Sequence, residues 1–226
     1  MTKHQDSSQQ TGQGRPGSAT RNKKPLRLLT AVPNESYDRL IVRYPCQNDF
    51  QYAHAYLFAA LRLASTFSGQ PEDDQLLLPF LTLYRQAFEL QLKNSIRTLV
   101  GLRVMYVDGR SEELVEAVSE ERFKGGFGHN LHQLLNEVKI HFIALDLNER
   151  FPAPLGGLVM KLHEADKAGT AFRYAGLLPE TQEYADFPDL VEMLDTNYRV
   201  LCSVIDYAEG CYEPMPTLAD LEAETY

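Results

Sequence analysis

An all-α bundle of about five helices, with at most one or two very short strands, is the fold class this sequence predicts. Apolar side chains recur at three- and four-residue steps through several long segments. Alternation with a period of two is scarce, confined to "RLIVRY" (39–44) and "TAFRYA" (170–175). No internal repeat of fixed period is present. Amphipathic stripes of this kind are buried by packing on one another, which is what makes a bundle.

In chain order, residues 1–25 are polar and rich in Ser, Gln and Gly, with no apolar period to offset the entropy of ordering. They read as a disordered tail, in which Arg15, Arg21, Lys23 and Lys24 form a flexible basic lead-in. Residues 26–70 read as an N-terminal helical extension. Within them "NDFQYAHAYLFAALRLASTF" (48–67) has a continuous apolar side, with Asn48 and Asp49 as starting residues. The main helical domain is placed at 71–212. Its strongest segment, 73–102, aligns Leu77, Leu81, Tyr84, Phe88, Leu92, Ile96 and Leu99 on one stripe, with Pro79 early, where a missing N–H costs little. A short acidic helix follows at "SEELVEAVSEE" (111–121). The segment 130–145 carries Leu131, Leu134, Leu135, Val138, Phe142 and Leu145 on one side. A loop containing "FPAPLGG" (151–157) leads to a short helix around "LVMKLHEA" (158–165). The last long helix, 187–212, repeats the period through Leu190, Leu194, Tyr198, Leu201, Ile205 and Ala208. Residues 213–226 are acidic and proline-broken and read as a loose tail.

The formal charge of −9 repels polyanions at long range, so a nucleic acid or a membrane surface has to be met by a local basic patch. Three cysteines, Cys46, Cys202 and Cys211, show neither close pairing nor zinc-site spacing, and the N-terminus has no apolar signal segment. A reducing cytoplasm is the expected location. No apolar run approaches the roughly 20 residues needed to cross a bilayer.

Several groups of residues carry chemical potential. Arg85, Glu89, Lys93 and Arg97 stand four apart and alternate in sign along one helix face. Exposed, such a row is worth only a few tenths of a kcal/mol per pair. On a helix that is apolar almost all round, partial burial turns it into a network that fixes register. In "RFKGGFGHNLHQLL" (122–135), Asn130 and Gln133 fit a capping pattern after a glycine bend, and His129 lies just outside the first turn. The free N–H groups there favour anions and a neutral imidazole, which suits proton abstraction beside a phosphate; a plain helix start explains the same residues. In "DKAGTAFRYAG", Asp166 and Arg173 flank a turn and are expected to pair across it, while Phe172 and Tyr174 anchor the segment. His129 and His132, three apart, and the close set His163, Glu164 and Asp166 lack zinc-site spacing, so neither a metal nor a cofactor is expected. There is no Gly-x-Ser-x-Gly and no phosphate-cradling Gly-x-x-x-x-Gly-Lys, and the Gly-Gly-Phe-Gly run follows a helix rather than a strand.

Three phrases, "LYRQAFELQLKNSI", "GHNLHQLLNEV" and "DKAGTAFRYA", followed by a long terminal helix, resemble bacterial proteins of the HEPN superfamily over roughly residues 75–212. The resemblance implies a helical bundle that commonly homodimerises. It also implies RNA as substrate, an antitoxin or another defence-system protein as partner, and a metal-independent RNase of a toxin–antitoxin or phage-defence system. Active members place an arginine and a histidine, four to six residues apart, in a cleft shared by two subunits. Arg122 and His129, with six residues between them, fit that spacing. His129 would take the proton from a ribose 2′-hydroxyl and Arg122 would steady the phosphate in its transition state, with Lys124 and Asn130 as phosphate contacts. Arg85, Glu89, Lys93, Asp166, Arg173 and Tyr174 would form a supporting polar network. The alternative implied by the same resemblance is a non-catalytic dimerisation or partner-binding module.

Overall fold

The computed structural model describes residues 48–174 and 184–223, and among these it is helical without strands. The candidate strand 39–44, the tail 1–25 with its basic residues, and Cys46 lie outside the described residues. The expected bundle of about five helices is present, and five of its helices are long. They are α1 (Asp49–Ala64), α2 (Leu77–Leu102), α4 (Leu131–Ala144), α5 (Ala153–Ala165) and α6 (Phe187–Tyr212), joined by two short helices, α3 (Glu112–Ala117) and α7 (Leu218–Ala223).

Helix α2 is the axis on which the others pack: α1, α4 and α6 lie against it, and α5 bridges α4 and α6. The periodicity explains why. Tyr84, Phe88, Leu92, Ile96 and Leu99 are fully buried, with Leu77 and Leu81 half-buried at the N-terminal end of the stripe. Leu131, Leu134, Leu135, Val138, Phe142 and Leu145 face them from α4, and Leu194, Tyr198, Leu201, Ile205 and Ala208 from α6. Aromatic edges lock the α2–α6 contact, with Phe88 against Tyr198 and Phe80 against Phe187 at centroid separations of 5.4 and 4.9 Å. Helix α1 begins where Asn48 and Gln51 cap each other reciprocally and buries only the small side Ala53, Leu57 and Ala60. The hydroxyl of Tyr212 donates to the carbonyl of Leu145 at 2.7 Å and ties the end of α6 to the end of α4.

Four local expectations are corrected. "TAFRYA" shows no strand over its described residues 170–174: Ala171–Arg173 form a single 3₁₀ turn, because so short an alternating run with no neighbouring strand among the described residues cannot satisfy a ladder. Most of "FPAPLGG" is helix, since α5 starts at Ala153. Pro154 sits in its first turn, where it is tolerated, and Gly156 is buried with the Lys139 ammonium 3.2 Å from where a Cβ would stand. The acidic segment breaks after Ala117 and is helical again only at Glu120–Glu121, and Arg122–Phe127 wind as a π-helical turn instead of a simple glycine bend. Finally, the acidic tail folds in part: Thr217 and Asp220 cap α7 through mutual side-chain to backbone bonds of 2.9 and 3.2 Å.

Candidate functional site

Helix α2 presents Arg85, Glu89 and Lys93 on one side, one turn apart, where the N-terminus of α4 and the C-terminus of α5 come together. Glu89 is buried, and its carboxylate is held by Arg85 Nη1 at 3.0 Å and Lys93 Nζ at 2.8 Å. Such burial is costly unless every charge is paired, and here it is. Arg85, also buried, uses its whole fork: Nε lies 3.1 Å from the Asp166 carbonyl and 3.2 Å from its carboxylate, and Nη2 donates to the His129 carbonyl at 2.7 Å. One guanidinium therefore joins α2, the start of α4 and the end of α5. Gly169 makes room for it, with φ +73° and the guanidinium 3.0–3.3 Å from where a Cβ would be.

His129 completes the group from the surface. Its Nδ1 lies 3.0 Å from each oxygen of Glu89, while the side chain is 61% exposed. With Glu89 ionised, Nδ1 is the donor, and Nε2 has no hydrogen-bond partner among the described residues. Burial pushes the Glu89 carboxyl up, but the bonds from Lys93 and His129 outweigh it and hold it below the usual carboxylate range. Asn130 caps α4, its side chain accepting from the Gln133 N–H at 3.1 Å. Nearby, the rings of His132 and His163 lie 6.1 Å apart, and the His163 imidazole is pushed down by burial and by His132, Arg85 and Lys167 around it.

The row of four charges predicted on α2 is thus a buried network at three of its positions. Arg97 leaves it: it pairs with Asp49 of α1 and with Glu120, and covers the Phe123 ring at 4.2 Å. Asp166 is in the network, but its partner is Arg85 and not Arg173. Its carboxylate also accepts from the N–H groups of Thr170 and Ala171 at 2.7 and 2.9 Å, which leaves Arg173 to donate to the Gly169 carbonyl at 2.7 Å. Tyr174 is exposed beneath the Arg173 cation and anchors nothing; Phe172 is half-buried. Lys124 is on the surface, paired with Glu120 at 3.0 Å.

Arg122 belongs to a different cluster. Its Nη2 lies 3.4 Å from Glu137 of α4, its guanidinium covers Phe127 at 4.9 Å, and no hydrogen bond or ring contact joins it to His129. Glu137 is also 3.4 Å from Nε2 of His141, which is buried, and His141 Nδ1 accepts from Arg103 Nη1 at 2.9 Å, as an always-charged arginine requires. Arg103 in turn binds Asp108 at 2.6 Å. Burial pushes the His141 imidazole down, against the pull of Glu137. This second cluster escaped the sequence reading. The signal for it was Glu137 and His141 four apart on α4, which without Arg103 and Arg122 looks like an ordinary exposed pair.

Among the described residues no three His, Cys, Asp or Glu side chains come together as metal ligands, and no helix is long and apolar enough to cross a membrane. The Cys202 thiol is pushed up to about 11 by burial, so at neutral pH it is no nucleophile. The chain matches no family model, no curated protein and no solved structure.

Proposed function

We propose that this chain is a HEPN-like protein of the bacterial cytoplasm that cleaves RNA without a metal, as a toxin or phage-defence effector, with His129 as the general base. The observation that carries this reading is the exposed imidazole fixed by a buried carboxylate: Glu89, itself clamped by Arg85 and Lys93, holds Nδ1 and leaves Nε2 without a hydrogen-bond partner among the described residues. A base needs that arrangement of tautomer and orientation.

In the proposed step Nε2 removes the proton from a ribose 2′-hydroxyl. The 2′-oxygen attacks the adjacent phosphorus, the bond from phosphorus to the 5′-oxygen breaks, and that oxygen takes a proton from water. The products are a 2′,3′-cyclic phosphate and a 5′-hydroxyl end, and the imidazolium returns its proton to solvent. DNA, without the hydroxyl, is not a substrate. The resemblance also implies a homodimer, in which Arg122 of one copy meets His129 of another. Arg122 keeps 38% of its side chain exposed and so remains within reach of a second copy.

A second reading is favoured by a separate observation. Arg85, Glu89 and Asp166 are buried and join three elements, which is sufficient purpose for them in a non-catalytic dimerisation or partner-binding module. Mixed single-stranded RNA incubated in EDTA with the intact protein and with His129→Ala separates the two. The nuclease reading expects cyclic-phosphate fragments from the first and none from the second. Intact RNA in both reactions leaves the binding module.

A further inference from the structure

We infer that Lys93 is the cation that contacts the scissile phosphate beside His129, a role that resemblance alone gives to Arg122; this rests on the nuclease reading above. Lys93 Nζ and His129 Nδ1 bond to the same oxygen of Glu89, at 2.8 and 3.0 Å, so the two nitrogens are no more than about 6 Å apart at hydrogen-bonding distances. A 2′-hydroxyl and the phosphate next to it present their proton and their charged oxygens over a similar span.

The other cations fail for definite reasons. Arg85 spends Nε, Nη1 and Nη2 on Asp166, Glu89 and the His129 carbonyl, and is sealed from solvent. Arg122 is turned to Glu137, which lies six residues, about 9 Å of helical rise, beyond Leu131 at the start of α4. Lys124 lies on the surface outside the buried network, where it pairs with Glu120 at 3.0 Å. Lys93 alone among the four charges of the buried network opens to solvent, with 14% of its side chain exposed against 4% or less for Arg85, Glu89 and Asp166. An ammonium has three donors; Glu89 takes one, and the other two have no hydrogen-bond partner among the described residues. With Glu89 Oε1 as their common partner, Lys93 Nζ stands beside the imidazole, and its two remaining donors can bind the non-bridging oxygens as negative charge builds on them. Glu89 is then a positioning residue that holds base and cation in one register, and Lys93 and His129 are the catalytic residues.

Two measurements on the full-length protein test the assignment. In RNA cleavage, Lys93→Ala is expected to lower kcat by about 10²–10³-fold and Lys93→Arg to keep most of it. In binding of a 2′-O-methyl oligonucleotide, which cannot be cleaved, Lys93→Ala is expected to flatten the slope of log Kd against log salt by about 0.7, the share of one phosphate contact on a single strand. A purely structural lysine lowers the melting temperature without moving that slope. Lys93→Gln, which can still donate to Glu89, replaces the alanine variant if that one fails to fold. Cleavage that survives loss of the charge, or an unchanged salt slope, overturns the role of Lys93 and leaves the nuclease reading standing. RNA left intact by the wild-type protein removes both.

Discussion

Two ion clusters touch α4, one near each end, and each is built from a histidine, a glutamate and two cations, yet they are turned inside out relative to one another. At the N-terminus the carboxylate of Glu89 is buried and the imidazole of His129 is on the surface. Toward the C-terminus the imidazole of His141 is buried, and Arg122 near it is on the surface. The hydrogen bonds are reversed as well. His129 gives its Nδ1 proton to a carboxylate and leaves Nε2 without a partner among the described residues, whereas His141 receives a proton at Nδ1 from Arg103 and points Nε2 inward, 3.4 Å from Glu137 but misaligned for a bond. The first arrangement leaves an imidazole accessible at the surface; the second holds a buried ring between Arg103 and Glu137. Burying the carboxylate rather than the imidazole is therefore what separates a candidate reactive histidine from a structural one.

If that contrast is right, the largest effect comes from removing the shared cation of the first cluster. Arg85→Ala leaves Glu89 short of a partner and Asp166 without its counter-ion in a dry site, and is expected to cost about 3–5 kcal/mol. Arg122→Ala in the second cluster removes a partly solvated charge and should cost about 0–1 kcal/mol. Urea denaturation of the two variants measures the gap. Equal losses would mean that the two clusters are equally buried in solution.

Gly169→Ala comes next. Its φ of +73° is strained for any L side chain, and the added Cβ would stand 3.0 Å from Arg85 Nη1. The left-handed backbone alone costs about 1–2 kcal/mol, and displacement of the guanidinium adds to it. A double-mutant cycle with Arg85→Ala reads the second part as coupling between the two sites. Strict additivity would show that the glycine serves only the turn.

Much of this was legible in the sequence. The stripes of α2, α4 and α6 were readable because a period of 3.6 residues is written locally, and the same local spacing placed Arg85, Glu89 and Lys93 on one face. What the sequence could not supply was the long-range partner. Arg85 reaches Asp166 across 81 positions and His129 across 44, and no spacing rule connects them. Arg97 sat on the predicted row by spacing alone, and only the arrival of α1 and Glu120 drew it away. Arg122 and His129 matched a motif distance, but a π-helical turn between them rotated the arginine toward Glu137. The start of α5 was hidden by two prolines and two glycines, residues that read as loop until a helix begins with them.

Acid should dissect the two clusters in separate windows, with effects smaller than either substitution. For His141, whose folded pKa lies below the ordinary 6.5, the unfolded chain binds the proton first. Stability is then unaffected above pH 6.5, starts to fall as pH drops through that value, and stops falling below the folded pKa. For Glu89, also depressed, the contribution is complete above the ordinary 4.5 and is lost as pH falls from there through the folded pKa. Chemical denaturation from pH 8 to 3 should therefore show two steps. In His141→Gln only the upper one shrinks, to the part that the likewise depressed His163 contributes, whatever the change in overall stability, and loss of the lower step instead would reverse the assignment.

The smallest expected change in stability is the one on which the contrast depends most. His129 makes one side-chain bond, to a carboxylate that keeps Arg85 and Lys93, and most of its ring is already hydrated. Truncation in His129→Ala should cost less than about 1 kcal/mol, a shift of about 3 °C or less in melting temperature for a chain of this size. His141→Ala empties a buried site and leaves Arg103 Nη1 without its acceptor, so its melting temperature should fall well below that of the His129 variant. Calorimetry on the pair ranks them directly. A His129 variant as destabilised as the His141 variant would mean that the surface imidazole is a strut like its buried counterpart, and a base at that position would lose its structural argument.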